Sequence, residues 1–230
     1  MDSRLYSQRV RRLLLPLVAV AFSLSAVAQT PQQWRDSLAT LNKQIAEHPQ
    51  STDLRLKKAA LNIELSQWEY AIEEYGRVLQ IDDKNLSAFY FRAYAHNQLR
   101  HYHMAQADYE SFLAIMPRHF SAQLGLAMTK RKMGKTIETQ DELNRLVEMY
   151  PDSAMAFAAR ASFEQEQRQY DLSLYDWDQA LRLSPDNVEY RLSKYTVLWA
   201  MRRYDEARRL YESLAKSGVS VDLLKRLQSQ

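Results

Sequence analysis

A chain of 230 residues, 46% apolar and 26% charged, can bury a core, which excludes wholesale disorder. The absence of cysteine excludes a disulfide framework, a thiol nucleophile and any cysteine metal site, and four glycines with six prolines favour long helices over turn-rich sheets. The net charge of +3 arises at the amino terminus, where Arg4, Arg9, Arg11 and Arg12 stand against Asp2; residues beyond 28 are formally neutral, without the basic body of a nucleic-acid binder.

The chain begins with the pattern of an export signal. A positive segment to Arg12 precedes the uncharged apolar run Leu13–Leu24, then Ser25-Ala26-Val27-Ala28 with small residues at 26 and 28. The run is too short to span about 30 Å of hydrocarbon at 1.5 Å per residue. Cleavage is expected after Ala28, giving a periplasmic or secreted chain with no stable membrane insertion; the alternative is a retained, membrane-tethering segment. The small-residue site followed by Gln29 resembles signal peptides common in Bacteroidetes.

Next, residues 32–47 are expected to form a lone helix, so that 29–51 is an amino-terminal cap. Five helix pairs are expected near 53–65/68–81, 87–99/102–115, 121–133/136–149, 155–167/170–183 and 189–201/204–216. A short capping helix is expected within 220–230, with Ser220 as its N-cap and Leu223, Leu224 and Leu227 on one face.

These elements rest on a 34-residue period. Pro49, Pro117, Pro151 and Pro185 lie on one lattice, with Asp83 and Val219 at its other points. Trp34, Trp68, Tyr102, Tyr170 and Tyr204 form a second column, which Thr136 interrupts. Small residues follow three later at Ser37, Ala71, Ala105, Thr139, Ser173 and Ala207. A further small column runs through Ala59, Ala93, Ala127 and Ala161, with Tyr195 departing. Two antiparallel helices need small side chains where their backbones approach. Aromatic rings fill the space beside the crossing, and proline ends the second helix because it lacks an N–H and disfavours helix for its predecessor. The side that each pair leaves bare is covered by the next pair.

With these columns the sequence resembles the tetratricopeptide repeat family, over residues 31–221. The second repeat carries Phe89, Arg92-Ala93, Tyr102, Ala105, Tyr109, Phe112 and Pro117. The third carries Met133-Gly134-Lys135, Leu143, Leu146 and Pro151, and the fourth Phe157, Arg160-Ala161, Tyr170, Trp177, Ala180 and Pro185. The resemblance implies an all-α, right-handed superhelical solenoid of antiparallel helix pairs. Residues 52–221 then hold five repeats: 52–85, 86–119, 120–153, 154–187 and 188–221.

The resemblance also implies a concave groove lined by the first helices. Carried over by register, its partner-binding residues are Tyr90, Tyr94, Asn97, Gln98, Met128, Arg131, Lys132, Gln165 and Trp199. The carboxylate clamp of co-chaperone relatives is missing, because Leu56, Ala60, Ser121 and Gly125 stand at its positions. Exported relatives in outer-membrane assembly and pilus biogenesis carry a lipidated cysteine that this chain lacks.

The residues show no catalytic pattern. There is no nucleophile elbow, phosphate loop or glycine-rich turn from strand to helix. His101 and His103, with His96 one turn earlier, read as a solvated turn rather than a metal site. His48 and His119 are placed near helix carboxyl ends. Glu73-Glu74, Asp82-Asp83, Asp176 with Asp178, and Asp205-Glu206 read as solvated faces or turns. Most tyrosines, among them Tyr75, Tyr102, Tyr109, Tyr170, Tyr204 and Tyr211, read as packing.

The expected function is therefore a non-catalytic scaffold outside the cytoplasm, without cofactor or metal, that holds a peptide or a partner helix in the groove. Alternatives are a self-assembling structural component, a membrane-tethered envelope-complex subunit and, on Tyr90, Tyr94 and Trp199, a glycan-binding accessory protein. Homo-oligomerisation stays open.

Overall fold

The computed structural model describes residues 31–219, and eleven α-helices with no strand account for the regular structure among them. They are α1 Pro31–Glu47, α2 Thr52–Glu64, α3 Trp68–Ile81, α4 Leu86–Gln98, α5 Tyr102–Ile115, α6 Phe120–Lys132, α7 Thr136–Met149, α8 Ala154–Glu166, α9 Tyr170–Leu183, α10 Val188–Ala200 and α11 Tyr204–Lys216. The expected signal segment 1–28 and carboxyl-terminal cap 220–230 lie outside the described residues.

The chain divides into two compact units between Thr40 and Leu41. The described part of the first unit, 31–40, is the beginning of α1. Local bonds hold it: Gln32 donates to Asp36, and the hydroxyls of Ser37 and Thr40 donate to the carbonyls of Gln33 and Asp36, each at 2.9 Å. The second unit contains the pairs α2/α3, α4/α5, α6/α7, α8/α9 and α10/α11, each packed against the next in chain order. It is an all-helical repeat solenoid.

All five second helices run as expected, but every first helix starts and ends one residue early. A capping column explains the starts. Ser51, Asn85, His119, Ser153 and Asn187 stand 34 apart in extended backbone. Their side chains accept the N–H of Leu54 (3.3 Å), Ala88 (3.0 Å), Ala122 (3.2 Å), Ala156 (3.3 Å) and Tyr190 (3.1 Å). Each relieves one unpaired donor of the first turn. His119 thus caps an amino terminus through Nδ1 rather than resting near a carboxyl end; the accepting nitrogen must carry no proton.

At the other end, the chain leaves each first helix through a left-handed residue: Ser66 (φ 57°), Arg100 (61°), Gly134 (73°), Arg168 (59°) and Arg202 (59°). The next N–H then reaches back five residues. Gln67 donates to the carbonyl of Asn62 at 2.8 Å, His101 to His96 at 2.9 Å, Lys135 to Lys130 at 3.1 Å, Gln169 to Glu164 at 2.9 Å and Arg203 to Leu198 at 2.9 Å. This is the Schellman closure, for which glycine is the natural left-handed residue; one turn in five uses it.

The small columns sit at the crossings. Ala59, Ala93, Ala127 and Ala161 are fully buried, as are Ala71, Ala105, Thr139, Ser173 and Ala207. Tyr195, which breaks the first column, is buried as well and packs its ring on Trp199 and Tyr211. Tyr75 and Tyr109 are core residues, whereas Tyr204 is about half exposed and meets Trp199 edge-on.

A second lattice lies beneath the packing, and it corrects the reading of the carboxylates as solvated. Glu74, Asp108 and Asp176 are buried. Glu74 accepts from Arg55 at 3.0 Å and Lys58 at 2.8 Å. Asp108 accepts two bonds from Arg92 at 2.8 and 2.6 Å, and Asp176 two from Arg160 at 2.6 and 2.9 Å. Each partner lies on the first helix of the same pair, so the acid is neutralised where it is desolvated. Glu73, Asp83, Asp178 and Asp205 are exposed, as expected.

Candidate functional site

The face shared by successive first helices is built by contacts that cross from one repeat to the next. Asn97 on α4 donates to the hydroxyl of Thr129 on α6 at 2.9 Å, and that hydroxyl donates to the Gly125 carbonyl at 2.7 Å. Arg131 on α6 grips the Glu166 carboxylate on α8 with Nε, at 2.7 Å, and Nη2. Gln165 on α8 donates to Thr196 on α10 at 3.1 Å. These polar rungs fix the spacing of α4, α6, α8 and α10 and place their outward side chains on one surface.

The nine residues expected at the groove separate into three groups. Asn97, Arg131 and Gln165 serve in the ladder, so much of their hydrogen-bonding capacity is committed within the chain. Thr196, the partner of Gln165, stands at a groove register of the fifth repeat, whereas Thr129, the partner of Asn97, was not singled out because a lone threonine carries no periodic signal.

Tyr90 and Tyr94 form the second group and are buried, at 6% and 5% exposure. The Tyr90 ring is wedged among Phe91, Tyr109, Phe112 and His119, with centroids 5.2 to 6.0 Å away. Burial pushes its hydroxyl pKa up to about 12, against a lowering hydrogen bond with Ser121. Tyr94 meets Trp68 edge-on at 5.9 Å. Tyr90 packs on the Tyr109 ring, for which Gly125 on α6 leaves room. A Cβ on Gly125 would come within 2.5 Å of Tyr109. Both tyrosines are therefore core residues supporting the face, not contact area upon it, and this removes two of the three aromatic residues behind the glycan reading.

Gln98, Met128, Lys132 and Trp199 make up the third group. Lys132 is exposed, and the others are half-buried. Lys132 holds no ion pair among the described residues. Trp199 lies between Tyr195 and Tyr204, keeping part of its surface open.

The histidines do not converge. His101 in the α4–α5 turn and His103 in the first turn of α5 are exposed, but His96 is buried, 5.7 Å from His101 between ring centroids; burial lowers its pKa from the usual 6.5. No group of three or more metal-binding side chains exists among the described residues. No described helix is long and apolar enough to cross a membrane.

Helix pairs at a 34-residue spacing, with one continuous face made by their first members, define a helical-repeat interaction protein. The family model described as tetratricopeptide repeat matches residues 121–153, so the chain carries a tetratricopeptide repeat there. It is 27% identical over 107 residues to the small glutamine-rich tetratricopeptide repeat-containing protein 2 of Saccharomyces cerevisiae, covering 46% of this chain and 31% of that one. The chain matches between a fifth and a third of the length of the curated relatives.

Two solved structures share the fold. PilW, a widely conserved type IV pilus biogenesis factor, superposes with a TM-score of 0.72 at 18% identity, over 85% of this chain and 91% of its own. YrrB, a repeat protein with an unusual peptide-binding site, superposes at 0.62 with 15% identity, over 83% and 98%.

Proposed function

We propose that the chain is a non-catalytic scaffold working outside the cytoplasm, which holds an extended peptide or a partner helix along the face of its first helices. The observation that carries this reading is the ladder Asn97–Thr129, Arg131–Glu166 and Gln165–Thr196. Such a ladder makes a preformed surface, which lowers the ordering cost of capture. On it the open side chains are an adaptable thioether (Met128), a rigid aromatic (Trp199), a free cation (Lys132) and an amide (Gln98). That set suits a peptide with an apolar anchor and an acidic neighbour. The peptide-binding site named for YrrB is an analogy in favour. The location rests on residues 1–28.

A peptide array read by fluorescence anisotropy tests the face. Lys132→Glu and Met128→Lys should each weaken capture of selected peptides several-fold at unchanged melting temperature. Capture by both variants equal to the parent's would exclude this face. Sequencing the amino terminus of the chain recovered from the cell envelope tests export, with Gln29 as the expected first residue.

A further inference from the structure

Residues 58, 92, 126, 160 and 194 occupy one position of the 34-residue lattice, and four of them are bases: Lys58, Arg92, Arg160 and Lys194. The fourth repeat shows what the base does. Arg160 lies across the junction of two consecutive second helices, donating to Asn144 on α7 at 3.1 Å and to Asp176 on α9 at 2.6 and 2.9 Å. Arg92 is placed alike: it holds Asp108 on α5, and its Nη1 would stand 3.7 Å from a Cβ on Gly76 of α3. Lys194 reaches Asp178 on α9 at 2.5 Å.

The third repeat has Leu126 at this position. The residues at the registers of Asn144 and Asp176 are there Glu110 on α5 and Glu142 on α7. A cleft of about 350 Å³ opens between them, lined also by Leu113, Gln123, Leu126 and Met149. Leu126 is buried, and the Gln123 Oε1 is a buried acceptor without a donor among the described residues. Lys130, one turn beyond Leu126, meets Glu142 at 2.9 Å, and Arg145 meets it at 3.0 Å. Glu110 accepts from the Gln106 amide at 2.7 Å and, though it feels the Lys130 charge, holds no ion pair among the described residues. Lys130 serves Glu142, but among the described residues no side chain bonds both carboxylates as Arg160 bonds Asn144 and Asp176 one repeat later.

We propose that this cleft is a socket for an arginine or lysine side chain of a partner protein, which enters the place that Arg160 fills in the following repeat. The walls fit such a side chain in two parts. Leu113, Leu126 and Met149 take the aliphatic stem, while the exposed Glu110 carboxylate takes the charged head. Arg145, well exposed, is the group that an incoming guanidinium displaces from Glu142. The socket is formed with the second helices α5 and α7, so it is distinct from the ladder face and does not depend on a peptide binding there.

The full chain, labelled at its methionine and leucine methyls, is titrated with N-acetyl-arginine methylamide and, in parallel, N-acetyl-norleucine methylamide. Saturable shifts at Met149 and Leu113 are expected with the arginine probe and none with norleucine. In Leu126→Arg the chain's own guanidinium fills the socket, so the shifts should vanish while the melting temperature holds or rises. Glu110→Gln, at an exposed position, should weaken the arginine probe several-fold without altering the melting curve, and this decides the matter even if Leu126→Arg fails to fold. An equal response to both probes, no response up to the probe's solubility, or unchanged affinity in Glu110→Gln would each overturn the assignment.

Discussion

Four of the five left-handed turn residues carry a side chain, and replacing them tests how the repeats are closed. In Ser66→Gly, Arg100→Gly, Arg168→Gly and Arg202→Gly the backbone keeps φ near +57 to +61°, but the contact between Cβ and the neighbouring carbonyl is removed. An L-residue in this conformation costs roughly 1–2 kcal/mol. Glycine returns about 0.4–1 kcal/mol of that through the greater freedom of its unfolded chain. The balance is a gain of about 0.5–1 kcal/mol per site. Arg100, Arg168 and Arg202 are exposed and hold no ion pair among the described residues, so their charges add little. One site per repeat with no shared partner makes the gains roughly additive, about 2–4 kcal/mol for the quadruple variant. In a chain of this size that raises the melting temperature by roughly 4–16 °C. Differential scanning calorimetry of the four single variants and the quadruple variant measures it. Gly134→Ala, at φ 73° with open space around the added Cβ, is the control and should lose about 1 kcal/mol. Neutral or destabilising glycines beside a harmless Gly134→Ala would refute the strain argument.

Other outcomes follow from packing and charge. Gly125→Ala forces a Cβ against the buried Tyr109 ring and should cost about 1–3 kcal/mol in chemical denaturation. Asp176→Asn leaves Arg160 without its carboxylate in a desolvated junction and should cost about 3–5 kcal/mol; a loss below 1 kcal/mol would mean that water reaches the pair. Burial, helped by the Asp176 charge, raises the Glu164 pKa from 4.5 to about 7, against the pull of Arg160 and a Gln140 hydrogen bond. The folded state therefore keeps this proton between those values while the unfolded chain loses it. Its stabilisation is present below pH 4.5 and lost as pH rises through 7, so Glu164→Gln should melt above the parent at pH 8 and converge with it at pH 4.5. His96 and His119 act in the opposite sense. Burial lowers both from the usual 6.5, so their stabilisation is present above pH 6.5 and lost as pH falls; His119→Asn, which keeps an acceptor at the cap, should reduce the acid loss.

How much the sequence disclosed followed from which forces repeat. Packing does: alanine, serine or threonine at a crossing is demanded in every pair, so the small columns and all five second helices were legible to the residue. The capping column was equally periodic, but its members are chemically mixed (serine, asparagine and histidine), and the first helices were placed one residue late. The left-handed column was hidden because only Gly134 advertises it. The buried carboxylates were misread since an acid on an amphipathic helix normally faces water; Glu74 and Asp176 differ only through a base sixteen residues earlier on the paired helix. At the candidate face, register named the right helices but not the burial of Tyr90 and Tyr94, whose rings pack on Tyr109 and Trp68.

The third repeat departs from the others at several lattice positions. It alone uses Gly134 at its turn, lacks the column aromatic at Thr136, exposes Ile137 at 79%, places Gly125 beneath Tyr109 and substitutes Leu126 for a base. A repeat unit whose only task was to cover its neighbours would be under the same packing demands as the other four and would keep their residues. The third repeat keeps the small column at Ala127 and Thr139, fully buried, so its hairpin is closed as tightly as the rest. Its changes include the first-helix face at Met128, Arg131 and Lys132 and the cleft between α5 and α7. The third repeat thus keeps its packing at Ala127 and Thr139 while differing at the two surfaces proposed for a partner, so substitutions there test both proposals first.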